Sequence, residues 1–88
     1  MKTPSPTAKS ILALLNNANE LIVKSSDRQG ARDVMKAVRV YADNNKFDMP
    51  QDKLDSFHAI LIDSTPATLT TLIKSIANSV VLFDQKKN

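Results

Sequence analysis

The sequence contains no cysteine, which excludes disulfide bonds and thiolate metal sites. A chain that lacks disulfides suits a reducing compartment, so we expect a cytoplasmic protein. Glycine occurs once, at Gly30, and a glycine-rich phosphate-binding loop is therefore excluded. The fold must therefore be held together without disulfides or thiolate-bound metals.

Aromatic residues and long apolar runs are also scarce. There is no tryptophan, and with three phenylalanines and one tyrosine the core must be built from aliphatic side chains. No apolar run approaches the roughly 18 residues that a membrane-spanning helix requires, so we predict no membrane span. The first apolar cluster, from Ile11 to Leu15, is too short for a secretory signal.

The aliphatic residues that are present recur every three or four positions, which predicts amphipathic helices. The chain, 1–88, is expected to form one helical domain with helices at about 6–24, 27–44, 50–63 and 66–84. Short connections favour antiparallel neighbours, so the predicted fold is all-α, a small antiparallel four-helix bundle with a short helix 3. Residues from all four helices are predicted to be buried: Leu15, Val38, Leu61 and Ile76.

Helix starts are marked by capping residues. Ser5-Pro6 and Ser64-Thr65-Pro66 each place a hydroxyl before a proline, a typical first turn. Ser26 and Gln29 have the spacing of a capping box, which predicts that they open helix 2 together. Gly30 in that first turn would allow a neighbouring backbone to approach closely.

The residues that could carry chemistry do not form a catalytic set. His58 is the only histidine, and at a position facing or flanking the core of helix 3 we expect it to be a packed or partly exposed structural residue rather than a catalytic one. Asp48, Asp52 and Asp55 surround the start of helix 3, where the helix dipole favours carboxylates. Asp43 opens a segment like a calcium loop, but the required glycine and glutamate are missing. We therefore predict no enzyme activity, no metal site and no cofactor.

Basic residues form a ridge along one side of helix 2. They are spaced four, four and three residues apart, and one more follows the helix: Arg28, Arg32, Lys36, Arg39 and Lys46. The simplest interpretation is a solvated helix face, partly neutralised by Asp33 and Asp43. The functional alternatives are contact with an acidic protein surface and, less favoured because no aromatic residue interleaves with the ridge, contact with nucleic acid. The net charge of +3 is mild and agrees with an acidic partner.

Helix 4 carries almost no charge. Between Ser64 and Phe83 the only charged residue is Lys74, although surface helices usually carry charge on their outer face. The expected solvent face, with two apolar residues beside it, is Thr70, Thr71, Ser75, Asn78, Ser79, Val81 and Leu82. This predicts either central packing or an interface with a partner or a second copy, centred on Thr71, Ser75, Asn78 and Leu82. A membrane-surface role is less favoured, because a basic flank and tryptophan anchors are missing.

The segment Tyr41-Ala42-Asp43-Asn44-Asn45-Lys46-Phe47-Asp48-Met49-Pro50, followed by Leu54, resembles the junction between helices in immunity proteins for pediocin-like bacteriocins. Those proteins are cytosolic four-helix bundles that protect a producer cell through its membrane sugar-transporter complex. The resemblance covers less than a quarter of the chain and implies a protective, partner-binding role. Here the junction falls between helices 2 and 3, rather than between helices 3 and 4 as in that family.

The turn at Asn45-Lys46-Phe47, with Ser79-Val80 near the C-terminus, also resembles small nucleoid-modulating proteins of the Hha and YmoA type. Those bind the oligomerisation domain of a DNA-coating protein. Their central Ala-Asp-His-Arg stretch is absent from this sequence. That resemblance implies an accessory role close to DNA.

Taken together, these features predict a small non-catalytic interaction module of bacterial or phage type that binds a protein and modulates its activity. An immunity, inhibitor or adaptor role fits this prediction. The alternative is a nucleic-acid-associated accessory protein that uses the basic residues of helix 2, either as a nucleoid modulator or in direct contact with DNA.

Overall fold

A computed structural model describes residues 4–87, and within them the chain forms four α-helices and no β-strand. Helix α1 is Pro6–Ser25, which begins as predicted with the Ser5 hydroxyl accepting a hydrogen bond from the Ala8 N–H at 3.2 Å. Pro6 occupies the first position of the helix, where its missing N–H costs nothing. The helix ends at Ser26, whose φ of 52° lies in the left-handed region.

The start of helix α2, Arg28–Asn44, is capped by Asp27. The Asp27 carboxylate accepts a hydrogen bond from the Gly30 N–H at 2.8 Å. The capping box predicted for Ser26 and Gln29 is therefore wrong, because Ser26 is used to terminate α1 and the Gln29 amide donates to Asp33 instead. The close approach at Gly30 is by this capping side chain and not by a neighbouring backbone as expected, since a Cβ there would lie 2.3 Å from a carboxylate oxygen of Asp27.

The turn after α2 closes on the end of the helix. Lys46 has a φ of 55°, which lets the Phe47 N–H donate to the Ala42 carbonyl at 2.8 Å, a common way to satisfy the last carbonyls of a helix. This turn buries Phe47 and Met49, and the Phe47 ring meets Phe83 edge-on at a centroid distance of 5.0 Å. The turn is thus part of the core and not only a connection.

Helix α3, Gln51–Ile60, is the short helix of the fold and ends three residues earlier than the predicted 63. Residues 61–63 form a turn that leads to α4, Pro66–Lys87. The Thr65 hydroxyl accepts from the Thr68 N–H at 3.2 Å, as the sequence predicts for the start of this helix. Helix α4 continues past the predicted end at 84, and Asp84 in its last turns is buried and bonded to Ser5 at the start of α1.

Helix α1 lies at the centre and packs against α2 and α4, while α3 packs against α4. Ser5 contacts Asp84 and Asn19 contacts Thr70, so α1 and α4 run antiparallel. The four residues predicted to be buried are at most 1% exposed, which confirms the helix register: Leu15, Val38, Leu61 and Ile76. The fold is the predicted all-α bundle.

Candidate functional site

The basic ridge of α2 is divided by its contacts into a structural end and an open middle. The Arg28 guanidinium donates a hydrogen bond to the Leu61 carbonyl, just after the end of α3. Arg28 therefore joins the start of α2 to the end of α3, and its charge satisfies a backbone carbonyl. We assign it to the fold rather than to a partner.

The middle of the ridge lines a groove between α2 and α3, which we call the basic groove. Its volume is about 580 Å³, and it is lined by Arg32, Lys36, Arg39, Val40 and His58. Lys36 is exposed and Arg32 half-buried, and neither forms an ion pair with any carboxylate in the part of the chain that the structure describes. Neither charge is therefore neutralised by an ion pair within the described fold.

Arg39 is the member of the groove that has a carboxylate partner. Its guanidinium lies 2.8 Å from the Asp55 carboxylate of α3, and the two side chains are 36% and 70% exposed. At that exposure an ion pair contributes about 0–1 kcal/mol. The Nε of Arg39 is buried and has no hydrogen-bond partner among the residues that the structure describes. The neutralising carboxylate is therefore Asp55, whereas the side chain of Asp33, which was expected to compensate the ridge, accepts from Gln29.

His58 faces the basic groove and not only the core. Its ring packs edge-on against Phe57 at a centroid distance of 6.0 Å and lines the groove beside the cations of α2. Partial burial lowers the pKa of His58 below its ordinary 6.5, the positive charges of Arg39, Arg32 and Lys36 lower it further, and Asp55 opposes them. The ring is thus mainly neutral near pH 7.

The sequence alone predicts only part of this site. The ridge was visible from its spacing, but His58 and Asp55 belong to another helix and join it only through tertiary packing. Lys46 follows α2 in a left-handed conformation and does not line the basic groove. Of the five predicted basic contact residues, three therefore come together in one place.

The residues of the uncharged face predicted on α4 also fall into two groups, one in contact with neighbouring helices and one exposed. Thr70 donates to Asn19 of α1 at 2.7 Å, and the Lys53 ammonium of α3 donates to the hydroxyls of Ser75 and Ser79 at 2.8 and 2.9 Å. These contacts explain part of the missing charge, since the hydroxyls face neighbouring helices.

Three other predicted residues of the α4 face lie on the outside. Thr71 and Asn78 are exposed, and Leu82 is 58% exposed. A shallow depression of about 550 Å³ between α3 and α4 joins hydroxyl and aliphatic side chains, including Thr71, Ser75 and Leu72. Self-association through this face stays a prediction.

Helix α4 is also long and apolar enough, by length and composition, to cross a membrane. Within Pro66–Lys86, the 18-residue window that meets this criterion has a mean hydropathy of 1.2, and 22% of that window is buried within the fold. Core helices of soluble proteins satisfy the same criterion, so the finding is weak evidence for a span. The hydrogen bonds of Thr70, Ser75 and Ser79 to neighbouring helices are typical of a helix packed in a bundle.

Within residues 4–87 no three histidine or carboxylate side chains are grouped closely enough to hold a metal ion. Comparison with known protein families, with curated proteins and with solved structures finds no match to this chain. The two local resemblances at the turn between α2 and α3 therefore stay predictions. The basic groove is the candidate site with the clearest chemistry.

Proposed function

We propose that the protein is a non-catalytic interaction module, bacterial or phage in type and cytoplasmic, that binds an acidic protein surface through the basic groove and so modulates its partner. One observation carries this proposal. Arg32 and Lys36 project into the groove without a carboxylate partner among the described residues, while Arg28 on the same ridge is used by the fold. Charges that the fold does not use are available to a partner.

The lining of the groove favours a protein over a nucleic acid. Val40 is 57% exposed and lines the groove beside the cations together with the His58 ring, so apolar contact accompanies the charge. Protein interfaces combine an apolar centre with charged groups, whereas nucleic-acid interfaces are much more strongly positive. A short groove with three cations fits the first description.

The test is an affinity capture from an extract of the source organism with two matched variants. Arg32→Gln with Lys36→Gln removes the two unpaired charges, and Lys9→Gln with Lys74→Gln removes two exposed charges outside the groove. We expect one acidic protein to be retained by the wild type and the control variant and to be lost with the groove variant.

Nuclease treatment and a salt series complete the test. Binding to nucleic acid would disappear with nuclease and would fall steeply with salt, because each phosphate contact releases counterions. Capture that depends on nucleic acid, or equal capture by both double variants, would contradict the proposal.

A further inference from the structure

The cations of the basic groove, Arg32, Lys36 and Arg39, are only partly paired with carboxylates. Among residues 4–87 the ion pair they form is Arg39–Asp55, so two of the three cations have no carboxylate partner there. Like charges four residues apart on a helix repel one another, and the groove therefore keeps a small electrostatic cost until an anion arrives.

The number of positive charges without a carboxylate partner determines which class of anion the groove binds best. A carboxylate or a phosphodiester brings one negative charge, whereas a phosphate monoester brings about 1.5–2 near pH 7 together with three strong acceptor oxygens. Guanidinium groups bind such oxygens through pairs of parallel N–H donors, and Arg32 and Arg39 supply two guanidinium groups. The imidazole of His58 adds another N–H donor on the opposite wall of the groove.

We propose that the basic groove is a binding site for a phosphate monoester, which a phosphorylated side chain of the protein partner supplies. Arg32, Lys36 and Arg39 hold the phosphate oxygens from α2, and His58 donates from α3. The source of the phosphate rests on the proposed function, but the site itself is a property of this chain.

In this site, phosphate binding is coupled to protonation of His58. The groups that face His58 are Arg39, Arg32 and Lys36 of α2 and Asp55 of its own helix. Partial burial, followed by the positive charges of the three cations, holds the pKa of His58 below 6.5. A bound dianion favours the charged imidazolium and therefore raises the pKa of His58. By linkage, lower pH strengthens binding while the phosphate remains dianionic.

The experiment uses His58 as its own probe, because the single histidine gives unambiguous ring signals in NMR spectra. Inorganic phosphate is titrated into the full chain at constant ionic strength. We expect saturable shifts of the His58 ring signals and a rise of about 0.5 or more in the pKa of His58. Phosphoserine should bind similarly, and acetate and dimethyl phosphate at least about tenfold more weakly.

Two double variants locate the effect. Arg32→Gln with Lys36→Gln should weaken phosphate binding at least about tenfold, and Lys9→Gln with Lys74→Gln should leave it unchanged. A response that does not saturate, or one that both variants lose equally, would overturn the site. Equal binding of acetate would show a general cationic patch, and equal binding of dimethyl phosphate would assign the groove to nucleic-acid backbones.

This inference and the proposed function can fail separately. Phosphate binding with the expected variant effects, but without a groove-dependent protein in the capture experiment, would reject the protein partner and retain the site. Groove-dependent capture of an acidic protein with no phosphate response would reject the phosphate site and retain the interaction module.

Discussion

The carboxylate of Asp84 accepts two hydrogen bonds from Ser5, one from the backbone N–H at 3.0 Å and one from the hydroxyl at 2.7 Å. The same hydroxyl caps the start of α1 through the Ala8 N–H. Asp84 is only 6% exposed, yet its hydrogen bonds with Ser5 outweigh the effect of burial and lower its pKa below the ordinary 3.8. One side chain near the end of α4 therefore organises the beginning of α1.

This contact makes the stability of the fold depend on pH in the acidic range. A carboxyl whose pKa is lowered in the folded state stabilises the fold above its ordinary pKa, and the contribution is lost as the pH falls through the lowered value. We expect Asp84→Asn to lower the melting temperature near neutral pH and to approach the wild type in strong acid. Thermal melts across the acidic range measure this, with the exposed Asp43→Asn as control. A constant gap between Asp84→Asn and the wild type at every pH would contradict it.

The capping contact between Asp27 and Gly30 predicts that substitutions at these two positions have strongly coupled effects on stability. Alanine at position 30 gains up to about 1 kcal/mol of helix propensity, but its Cβ displaces the Asp27 carboxylate, and losing a cap costs about 1 kcal/mol. Gly30→Ala should therefore be nearly neutral in the wild type and stabilising by up to about 1 kcal/mol in an Asp27→Ala background. Urea unfolding of the four proteins in this cycle measures the coupling. Additive effects would show that the cap tolerates the methyl group.

Lys53 stabilises the contact between α3 and α4 through the hydroxyls of Ser75 and Ser79. Lys53→Met keeps the aliphatic stem and removes the ammonium group, so we expect a loss of about 1–2 kcal/mol in the free energy of unfolding. The control is Lys74→Met on the exposed side of α4, which should change stability by less than about 0.5 kcal/mol. Equal effects of the two changes would contradict the role of this contact.

The apolar residues of α4 should differ sharply in importance. Ile76 is fully buried and Leu82 is 58% exposed. We expect Ile76→Ala to destabilise the fold by about 2–5 kcal/mol, because it leaves a cavity in a close-packed core. Leu82→Ala should cost less than about 0.5 kcal/mol in the monomer. Denaturant unfolding checks both, and a dependence of the Leu82→Ala effect on protein concentration would reveal self-association through this face.

The groove cations should matter little to stability. Arg32→Gln with Lys36→Gln removes mutual repulsion and no ion pair formed with the described residues, so the free energy of unfolding should change by no more than about 0.5 kcal/mol. The same variant should raise the pKa of His58 toward 6.5, since two of the charges that lower it are gone. NMR titration of the free protein measures this. A large loss of stability would show instead that the two cations are structural.

Much of the fold could be predicted from local pattern. Aliphatic spacing located all four helices, and Ser5 and Thr65 cap helices where a hydroxyl precedes a proline. The capping box at Ser26 was wrong, because two adjacent residues compete at a junction where one helix ends and the next begins. Periodicity alone does not decide which of Ser26 and Asp27 serves which helix.

The site was less accessible to prediction. The ridge on α2 follows from spacing within one helix, but its division depends on α3, which supplies the Leu61 carbonyl to Arg28, the Asp55 carboxylate to Arg39 and the ring of His58. Likewise, the sequence pattern of α4 does not predict that the Lys53 side chain of α3 lies over Ser75. These contacts depend on how helices are placed in three dimensions.

The central position of α1 has a kinetic consequence. Its contacts with α2 join neighbours in sequence, whereas its contacts with α4 close a loop of most of the chain and cost more conformational entropy. The α1–α2 hairpin is therefore expected to form before α4 docks, and the Ser5–Asp84 contact after the transition state. Loosening that contact would then accelerate unfolding and leave the folding rate almost unchanged, so the lifetime of the native state depends on how firmly α4 holds α1.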